Sequence, residues 1–172
     1  MAGVSTSATV NLIRTVKHLV DFAHPGPDYF ECRVERKFQT WLKGRLSDSL
    51  GERYKVLGEA RTDGHGGGIK PIRTFGSGSW PDVTVVDSKT NESLAIELKC
   101  LWKRGLPNRV AHALGQAFLY LERDDSGGGY DNALVVFFVV EAIPFRIPPG
   151  LETRLETTGI SVSTIRSCEL SS

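Results

Sequence analysis

Two acidic residues and a lysine lie where two predicted strands meet. Asp82 opens the strand-like stretch 82–87, and Glu97 lies late in the next one, 93–100, two positions before Lys99. Side chains of a strand alternate between the two faces of a sheet, so Glu97 and Lys99 point the same way and Leu98 points into the core. The short turn between the stretches predicts a hairpin, which places Asp82 beside Glu97.

Two adjacent carboxylates repel each other unless a cation lies between them. Mg²⁺ and Mn²⁺ prefer oxygen ligands, and Mg²⁺ retains several waters. Such an ion can hold a phosphate oxygen and lower the pKa of a bound water. Lys99 could orient or deprotonate that water, or neutralise the negative charge that develops. This pattern predicts metal-dependent phosphodiester hydrolysis. The structural alternative is a solvated cross-strand ion pair, which contributes little to stability.

The elements that would position these residues alternate along the chain. With 172 residues, of which 40% are hydrophobic and 24% charged, we expect one compact domain over residues 1–172. The order α-α-β-β-β-α-β-α-β predicts an α/β fold, a mixed sheet with helices on both faces. Residues 1–26 would form an N-terminal helical extension.

Apolar spacing and helix-breaking residues set the predicted boundaries. The first helix runs from Ser7 to about His24, before Pro25. The second runs from Asp28 to Leu46, with Asp28 as its N-cap and Glu31 completing a capping box. The remaining predictions are strands at 54–60, 82–87, 93–100, 132–141 and 160–166, helices at 108–123 and 151–158, and a glycine-rich loop at 62–70.

The acid-acid-lysine set resembles a known signature. Pro81-Asp82 together with Glu97-Leu98-Lys99 is similar to the motif of the PD-(D/E)XK nuclease superfamily. The stretch 35–38 (Glu-Arg-Lys-Phe) resembles a helix of archaeal-type Holliday junction resolvases. The stretch 116–120, with Gln116 and Tyr120 four apart, resembles the nuclease domains of RecB-like recombination enzymes. The resemblance spans about residues 28–141 and leaves out the first helix and the tail from Pro144.

The resemblance implies a restriction-endonuclease-like fold that cuts DNA with Mg²⁺ or Mn²⁺. In that family pattern Asp82, Glu97 and the backbone carbonyl of Leu98 bind the metal, while Lys99 assists the water. Glu35 would reach the metal through a water or bind a second ion.

Two roles implied by the resemblance remain open. Glu31, one turn before Glu35, is the alternative helix acid, and both glutamates flank the apolar stripe. Gln116 and Tyr120 share one helix face and could hydrogen-bond the lysine, a phosphate or a base. Alternatively, Tyr120 is a core aromatic residue and Gln116 lies at the core boundary.

Basic residues follow the lysine strand directly. Lys103, Arg104 and Arg109, with Trp102 among them, indicate phosphate binding, which supplies affinity without sequence information. The basic residues of 33–45 are interpreted as a solvated helix face. Small residues in 73–80 let the backbone approach a phosphate, and Ser77 or Ser79 could donate to it. The loop around His65 lacks the order of a nucleotide-triphosphate site, and we expect it to close over the substrate.

Composition excludes several classes of protein. A net charge of +1 excludes a histone-like charged surface. No run approaches the roughly 20 apolar residues of a membrane helix, so no membrane association is expected, and no leader segment indicates secretion. Three widely spaced cysteines (Cys32, Cys100 and Cys168) argue against a zinc cluster or disulfide framework and favour the reducing cytoplasm.

These observations together predict a Mg²⁺- or Mn²⁺-dependent DNA endonuclease with structure-selective or weak sequence specificity. A homodimer formed through the first helix would suit a protein that cuts two strands. Two alternatives remain. One is a non-catalytic nucleic-acid-binding or assembly module on the same fold. The other is a nuclease subunit active only within a larger complex.

Overall fold

A five-stranded mixed sheet with helices on both faces organises the chain. The computed structural model describes residues 11–32, 34–58, 72–74, 77–122 and 129–166. The expected α/β fold with a mixed sheet between helices is confirmed. The helices are α1 (Leu12–Asp21), α2 (Pro27–Cys32), α3 (Glu35–Leu50), α4 (Leu106–Leu121) and α5 (Pro149–Thr157).

The first helix starts from a side-chain cap. The Asn11 side chain accepts a hydrogen bond from the backbone N–H of Ile13, at 3.0 Å, which satisfies one of the donors that a helix start leaves unpaired. The helix ends at Asp21, three residues before the predicted end at His24. The predicted first turn at residues 7–10 lies outside the described residues.

The predicted second helix, 28–46, is two helices, and the second of them continues past the predicted end at Leu46 to Leu50. Val34 is extended (φ −104°, ψ 107°) and separates α2 from α3. Phe30 of α2 and Phe38 of α3 enter the same core on either side of the break, with their ring centroids 5.4 Å apart. The predicted capping box is also wrong. Pro27 opens α2, where its missing N–H costs nothing, so Asp28 lies within the first turn.

The strands of the main sheet are β1 (Tyr54–Gly58), β4 (Val83–Asp87), β5 (Ser93–Leu101), β6 (Asn132–Val139) and β7 (Ile160–Arg166). They lie side by side in the order β1-β4-β5-β6-β7. The pairs β1/β4 and β4/β5 are antiparallel, whereas β5/β6 and β6/β7 are parallel and joined by the crossover helices α4 and α5.

Each face of the sheet buries a separate core. On one side, α1 and α3 cover Leu94, Ile96 and Leu98 of β5. On the other side, α4 and α5 cover a second cluster that includes Leu101, also of β5. Strand β6 contributes to both cores, which explains why its sequence is a continuous apolar run rather than an alternating one.

A separate two-stranded hairpin, β2 (Ile72–Thr74) with β3 (Ser77–Ser79), was not predicted from the sequence. Its strands are only three residues long, too short for alternation to be visible. The predicted loop at 62–70 with His65 lies outside the described residues, as do the last residues of the first predicted strand. None of the helices in the described ranges is long and apolar enough to cross a membrane.

Candidate active site

The predicted site residues meet at one end of the β4/β5 hairpin. In this hairpin Val83 pairs with Ile96 at the end of the observed register, and Asp82 directly precedes β4. The Asp82 side chain accepts from the backbone N–H of Leu98, the residue after Glu97, so the two carboxyl groups lie close together. The hairpin geometry that the site requires is therefore present.

Asp82 is held by two donors from different elements. The backbone N–H of Leu98 donates to its Oδ2 at 2.7 Å, and the Gln39 side chain of α3 donates to its Oδ1. Gln39 is 43 residues away in sequence. These contacts fix the carboxylate at the mouth of the hairpin and tie α3 to it.

Glu97 is a buried carboxyl group, with 4% of its side chain exposed. Tyr120 of α4 donates its hydroxyl hydrogen to Glu97 Oε2 at 2.8 Å, and its oxygen also lies 3.1 Å from the carbonyl oxygen of Trp80. Burial and, next, the charge of Asp82 raise the pKa of Glu97 to about 8, although the Tyr120 hydrogen bond and Lys99 act in the opposite direction. The site thus holds a carboxyl group that is poorly compensated when ionised.

Lys99 lies between three acidic side chains. Its Nζ is 3.0 Å from Glu35 Oε2 and 3.7 Å from Glu97 Oε1. Burial by itself lowers the pKa of Lys99, but the surrounding carboxylates, Glu35 first and Asp82 among them, outweigh it and the pKa is raised. Lys99 is therefore an ammonium donor here, suited to orienting a water or stabilising negative charge rather than to removing a proton.

Glu35 connects the two helices whose N-termini lie at the site. It is the first residue of α3, and its second carboxylate oxygen lies 3.6 Å from Nη1 of Arg109, in the first turn of α4. Glu31, in contrast, is exposed on α2. Of the two helix acids left open by the sequence, Glu35 is the one at the site.

The residues fit a magnesium ion that has few protein ligands. Mg²⁺ is commonly held by one or two carboxylates and completes its shell with waters. Asp82 and Glu97 supply two neighbouring carboxyl groups, and burial together with the charge of Asp82 raises the pKa of Glu97, so a cation there would stabilise its ionised form. Within the described part of the chain, no group of three or more His, Cys, Asp or Glu residues could form a fuller cage.

A groove adjoins Lys99 on the side of the β5–α4 connection. Its volume is about 490 Å³, and none of its described lining residues is acidic. Its floor and walls are Lys99, Trp102, Arg104, Gly105, Asn108, Arg109 and His112. The predicted phosphate-binding residues Arg104 and Arg109 thus border the site.

Lys103 is placed differently from its two basic neighbours. Its side chain is exposed and does not line the groove, whereas its backbone N–H donates to Glu141 Oε2 at 2.8 Å. Among the other predicted substrate contacts, the side chains of Ser77 and Ser79 lie outside the described residues.

The second basic stretch, on α3, borders a larger groove of about 900 Å³ between α2 and α3. Arg36, Lys37 and Arg45 line it, but Asp28 and Asp48 line it as well. This mixture of charges fits the interpretation of an ordinary solvated helix face. It differs from the groove beside Lys99, where the described charged residues are all basic.

Tyr120 is a core aromatic residue, as the second alternative expected, and its hydroxyl group contacts Glu97, a partner that the sequence did not predict. Gln116, one turn earlier on α4, has a buried Oε1 atom that receives no hydrogen bond from the described residues. A buried acceptor without a donor is costly, so this oxygen is a point where a ligand could bind.

Sequence reasoning missed Gln39 and the Trp102–Arg109 stack. Gln39 lies one helical turn after Glu35, and this i, i+4 spacing was the signal that could have found it. The Arg109 guanidinium carbon lies 3.3 Å from the centroid of the Trp102 ring, a contact across a loop that no sequence period indicates.

No protein-family model matches the chain, and no curated protein matches it either. Function therefore has to be inferred from the site itself.

Proposed function

We propose that this protein is a Mg²⁺- or Mn²⁺-dependent deoxyribonuclease of the PD-(D/E)XK type that hydrolyses phosphodiester bonds within DNA. The observation that carries the proposal is the pairing of the half-buried Asp82 with the buried Glu97 beside the ammonium group of Lys99. The raised pKa of Glu97 supports it, because burial and the neighbouring charge of Asp82 both disfavour the ionised group, and a shared cation would offset them.

Each residue of the site has a distinct task in this reaction. A metal ion, when bound, supplies a Lewis acid for the phosphate oxygen and acidifies a bound water. Asp82 and Glu97 would hold that ion, together with the carbonyl oxygen of Leu98. Lys99 donates hydrogen bonds to the attacking water and to the phosphate oxygen on which charge develops.

Two further residues keep this constellation in place. Glu35 lies 3.0 Å from Lys99 Nζ and so orients the ammonium group. Tyr120 fixes the carboxyl group of Glu97 from the buried side. Both act by holding reacting groups in position, which is a large part of catalysis when a water must be aimed at phosphorus.

A cleavage assay on supercoiled plasmid and on labelled oligonucleotides tests the proposal. Cutting should require Mg²⁺ or Mn²⁺, stop with EDTA, and be lost in Asp82→Ala and in Lys99→Ala. Arg154→Gln, an exposed change on α5, is the matched control and should cut normally. Unchanged cutting by both site variants would falsify the assignment, because a contaminating nuclease would then explain the activity.

The finer features of the proposal follow from size and surface. A chain of 172 residues offers little surface for reading a long sequence, so we expect structure-selective or weakly specific cutting. A homodimer would bring two such sites to the two strands, with α1 and its exposed Phe22 as the contact. A reducing cytoplasm suits Cys100, which is buried and unpaired.

A further inference from the structure

We propose that Trp102 and Arg109 form a phosphate clamp beside the site, in which Arg109 exchanges its contact with Glu35 for a backbone phosphate of the bound strand. The inference rests on the proposed function and names residues that would set how the strand is held. It is carried by the Trp102–Arg109 stack, the weak Glu35 contact and the basic groove.

The stack on Trp102 restricts the conformational freedom of the Arg109 side chain. The guanidinium carbon lies 3.3 Å above the Trp102 ring, and Trp102 itself packs against the core beneath α3. A stacked guanidinium keeps its in-plane N–H donors available at the edge. Because the side chain is already ordered, binding a phosphate costs less conformational entropy than it would for a free arginine.

The loop that carries Trp102 is itself anchored. The backbone N–H of Lys103 donates to Glu141 at 2.8 Å, and the Leu101 carbonyl accepts from Val140 at 3.0 Å. Gly105, with φ +74°, then turns the chain into α4 in a left-handed conformation that suits glycine. The clamp is thus part of a rigid connection between β5 and α4.

Arg109 is incompletely used by the protein. Among the described residues its ion-pair partner is Glu35, at 3.6 Å, which is longer than a normal hydrogen bond. Glu35 is also shared with Lys99, to which it binds more closely at 3.0 Å. A phosphate oxygen in the groove would offer Arg109 a better acceptor, and Glu35 would remain with Lys99.

The groove favours a phosphodiester backbone as occupant. Three cationic side chains, Lys99, Arg104 and Arg109, line it without a described acidic neighbour in the lining. Asn108, in the first turn of α4, also lines the groove, and the positive end of the helix dipole there favours an anion. The groove is continuous with the site at Lys99, so the phosphate held there would be a neighbour of the scissile one.

Equilibrium binding tests the clamp without any cutting. A short fluorescent DNA oligonucleotide, single-stranded or annealed, is titrated in EDTA at several salt concentrations. Arg109→Gln should weaken binding at least about tenfold, the scale of a hydrogen bond to a charged group. It should also reduce the salt slope by about 0.7 for the single strand or about 0.9 for the duplex, the effect of one lost phosphate contact. Arg154→Gln should change neither.

Two further variants test the parts of the clamp. Trp102→Leu should lower affinity and slope in the same direction as Arg109→Gln, whereas Trp102→Phe, which keeps an aromatic face, should restore most of both. Glu35→Gln should tighten binding about two- to fivefold, the strength of a partly exposed ion pair, and only while Arg109 is present. The double variant Glu35→Gln with Arg109→Gln measures this dependence.

The outcomes separate the clamp from the nuclease. Wild-type protein that does not bind the oligonucleotide, or Arg109→Gln with unchanged affinity and slope, overturns the clamp even if metal-dependent cutting is observed. Tightening by Glu35→Gln that persists in the Arg109→Gln background overturns the exchange with Glu35. The expected binding pattern without any metal-dependent cutting would leave the clamp standing and refute the nuclease.

Discussion

Two buried carboxyl groups at opposite ends of the β4/β5 hairpin behave in opposite ways. Asp87 has 2% of its side chain exposed. It accepts hydrogen bonds from Nε of Arg53 at 2.9 Å, from Nη2 of the same guanidinium group, and from the backbone N–H of Lys89 at 2.9 Å. These hydrogen bonds, that of Arg53 first, hold its pKa well below the usual range. Glu97 is as deeply buried, yet its pKa is raised to about 8.

The difference lies in what the chain supplies to each group. Asp87 receives a fixed cation and a backbone donor, so its charge is neutralised within the protein. Glu97 receives one hydroxyl donor and a neighbouring carboxylate, and Lys99 is 3.7 Å away and closer to Glu35. A carboxyl group left in that condition is typical of functional sites, where the missing charge arrives with a ligand.

Exchanging each acid for its amide is the strongest test of this contrast. Glu97→Gln should reduce metal-dependent cutting at least about 10²-fold, because a metal ligand is lost, while the metal-free protein stays folded. Asp87→Asn should do the reverse, with normal cutting and a lower Tm, since Arg53 loses its charged partner. Cleavage rates and thermal melts of both variants measure this. Equal losses of activity would show that the two carboxyl groups are not functionally distinct.

The pH dependence of stability should separate the two groups next. The folded state holds Glu97 protonated up to about pH 8, whereas the unfolded chain releases that proton near pH 4.5. Its contribution is therefore complete below about pH 4.5 and is lost as the pH rises towards 8, a decline on the order of a few kcal/mol. Asp87 acts oppositely. Its lowered pKa gives stability that is lost as the pH falls below the ordinary range.

Denaturant unfolding in EDTA across this pH range measures both limbs. In Glu97→Gln the free energy of unfolding should fall less as the pH rises towards 8, and its fall at acid pH should be unchanged. In Asp87→Asn only the fall at acid pH should become smaller. Adding Mg²⁺ at pH 7 should release close to one proton from the wild type, because a metal ligand must be deprotonated. Calorimetry in buffers of different ionisation enthalpy detects that proton. Its release by Glu97→Gln as well would identify another group as the source.

A smaller effect is expected from the hydroxyl group that holds Glu97. Tyr120→Phe removes a hydrogen bond that lowers the pKa of Glu97, so the pKa should rise further. The pH at which the metal affinity rises should therefore increase, because Glu97 must lose its proton to bind the metal. The free energy of unfolding should fall by about 1 kcal/mol. Tyr130→Phe, which removes another buried hydroxyl on the same core face, is the control for packing. A shift of equal size in both variants would contradict a specific role for Tyr120.

The sequence was sufficient for the local part of this site. Asp82, Glu97 and Lys99 belong to one hairpin, where alternation and a short turn fix which side chains face each other. Strand β7 was predicted with its observed bounds, Ile160–Arg166, because its alternating pattern ends at clear boundaries. The carboxyl pair could therefore be located before any tertiary structure was known.

The remaining features depend on packing that no local period reveals. The break at Val34 has no proline or glycine to mark it, and the apolar spacing from Phe30 to Phe38 continues across it. The contact between Gln39 and Asp82 joins residues 43 apart. Tertiary interactions of this kind override local propensity, which is why helix boundaries and the supporting residues of a site are the hardest to predict.

The smallest expected effect concerns Gln116, whose buried Oε1 lacks a described donor. If the oxygen is reserved for a ligand, as the comparison with Glu97 suggests, removing it should help the fold and harm the reaction. Gln116→Met keeps the length of the side chain, so we expect unfolding to become harder by about 1 kcal/mol and cutting to fall about tenfold. Leu114→Met, two residues earlier on α4 and packed against the core between α4 and the sheet, controls for a thioether on α4. If Gln116→Met is destabilised and cuts normally, Gln116 stabilises the fold and has no part in the reaction, as is expected of Asp87.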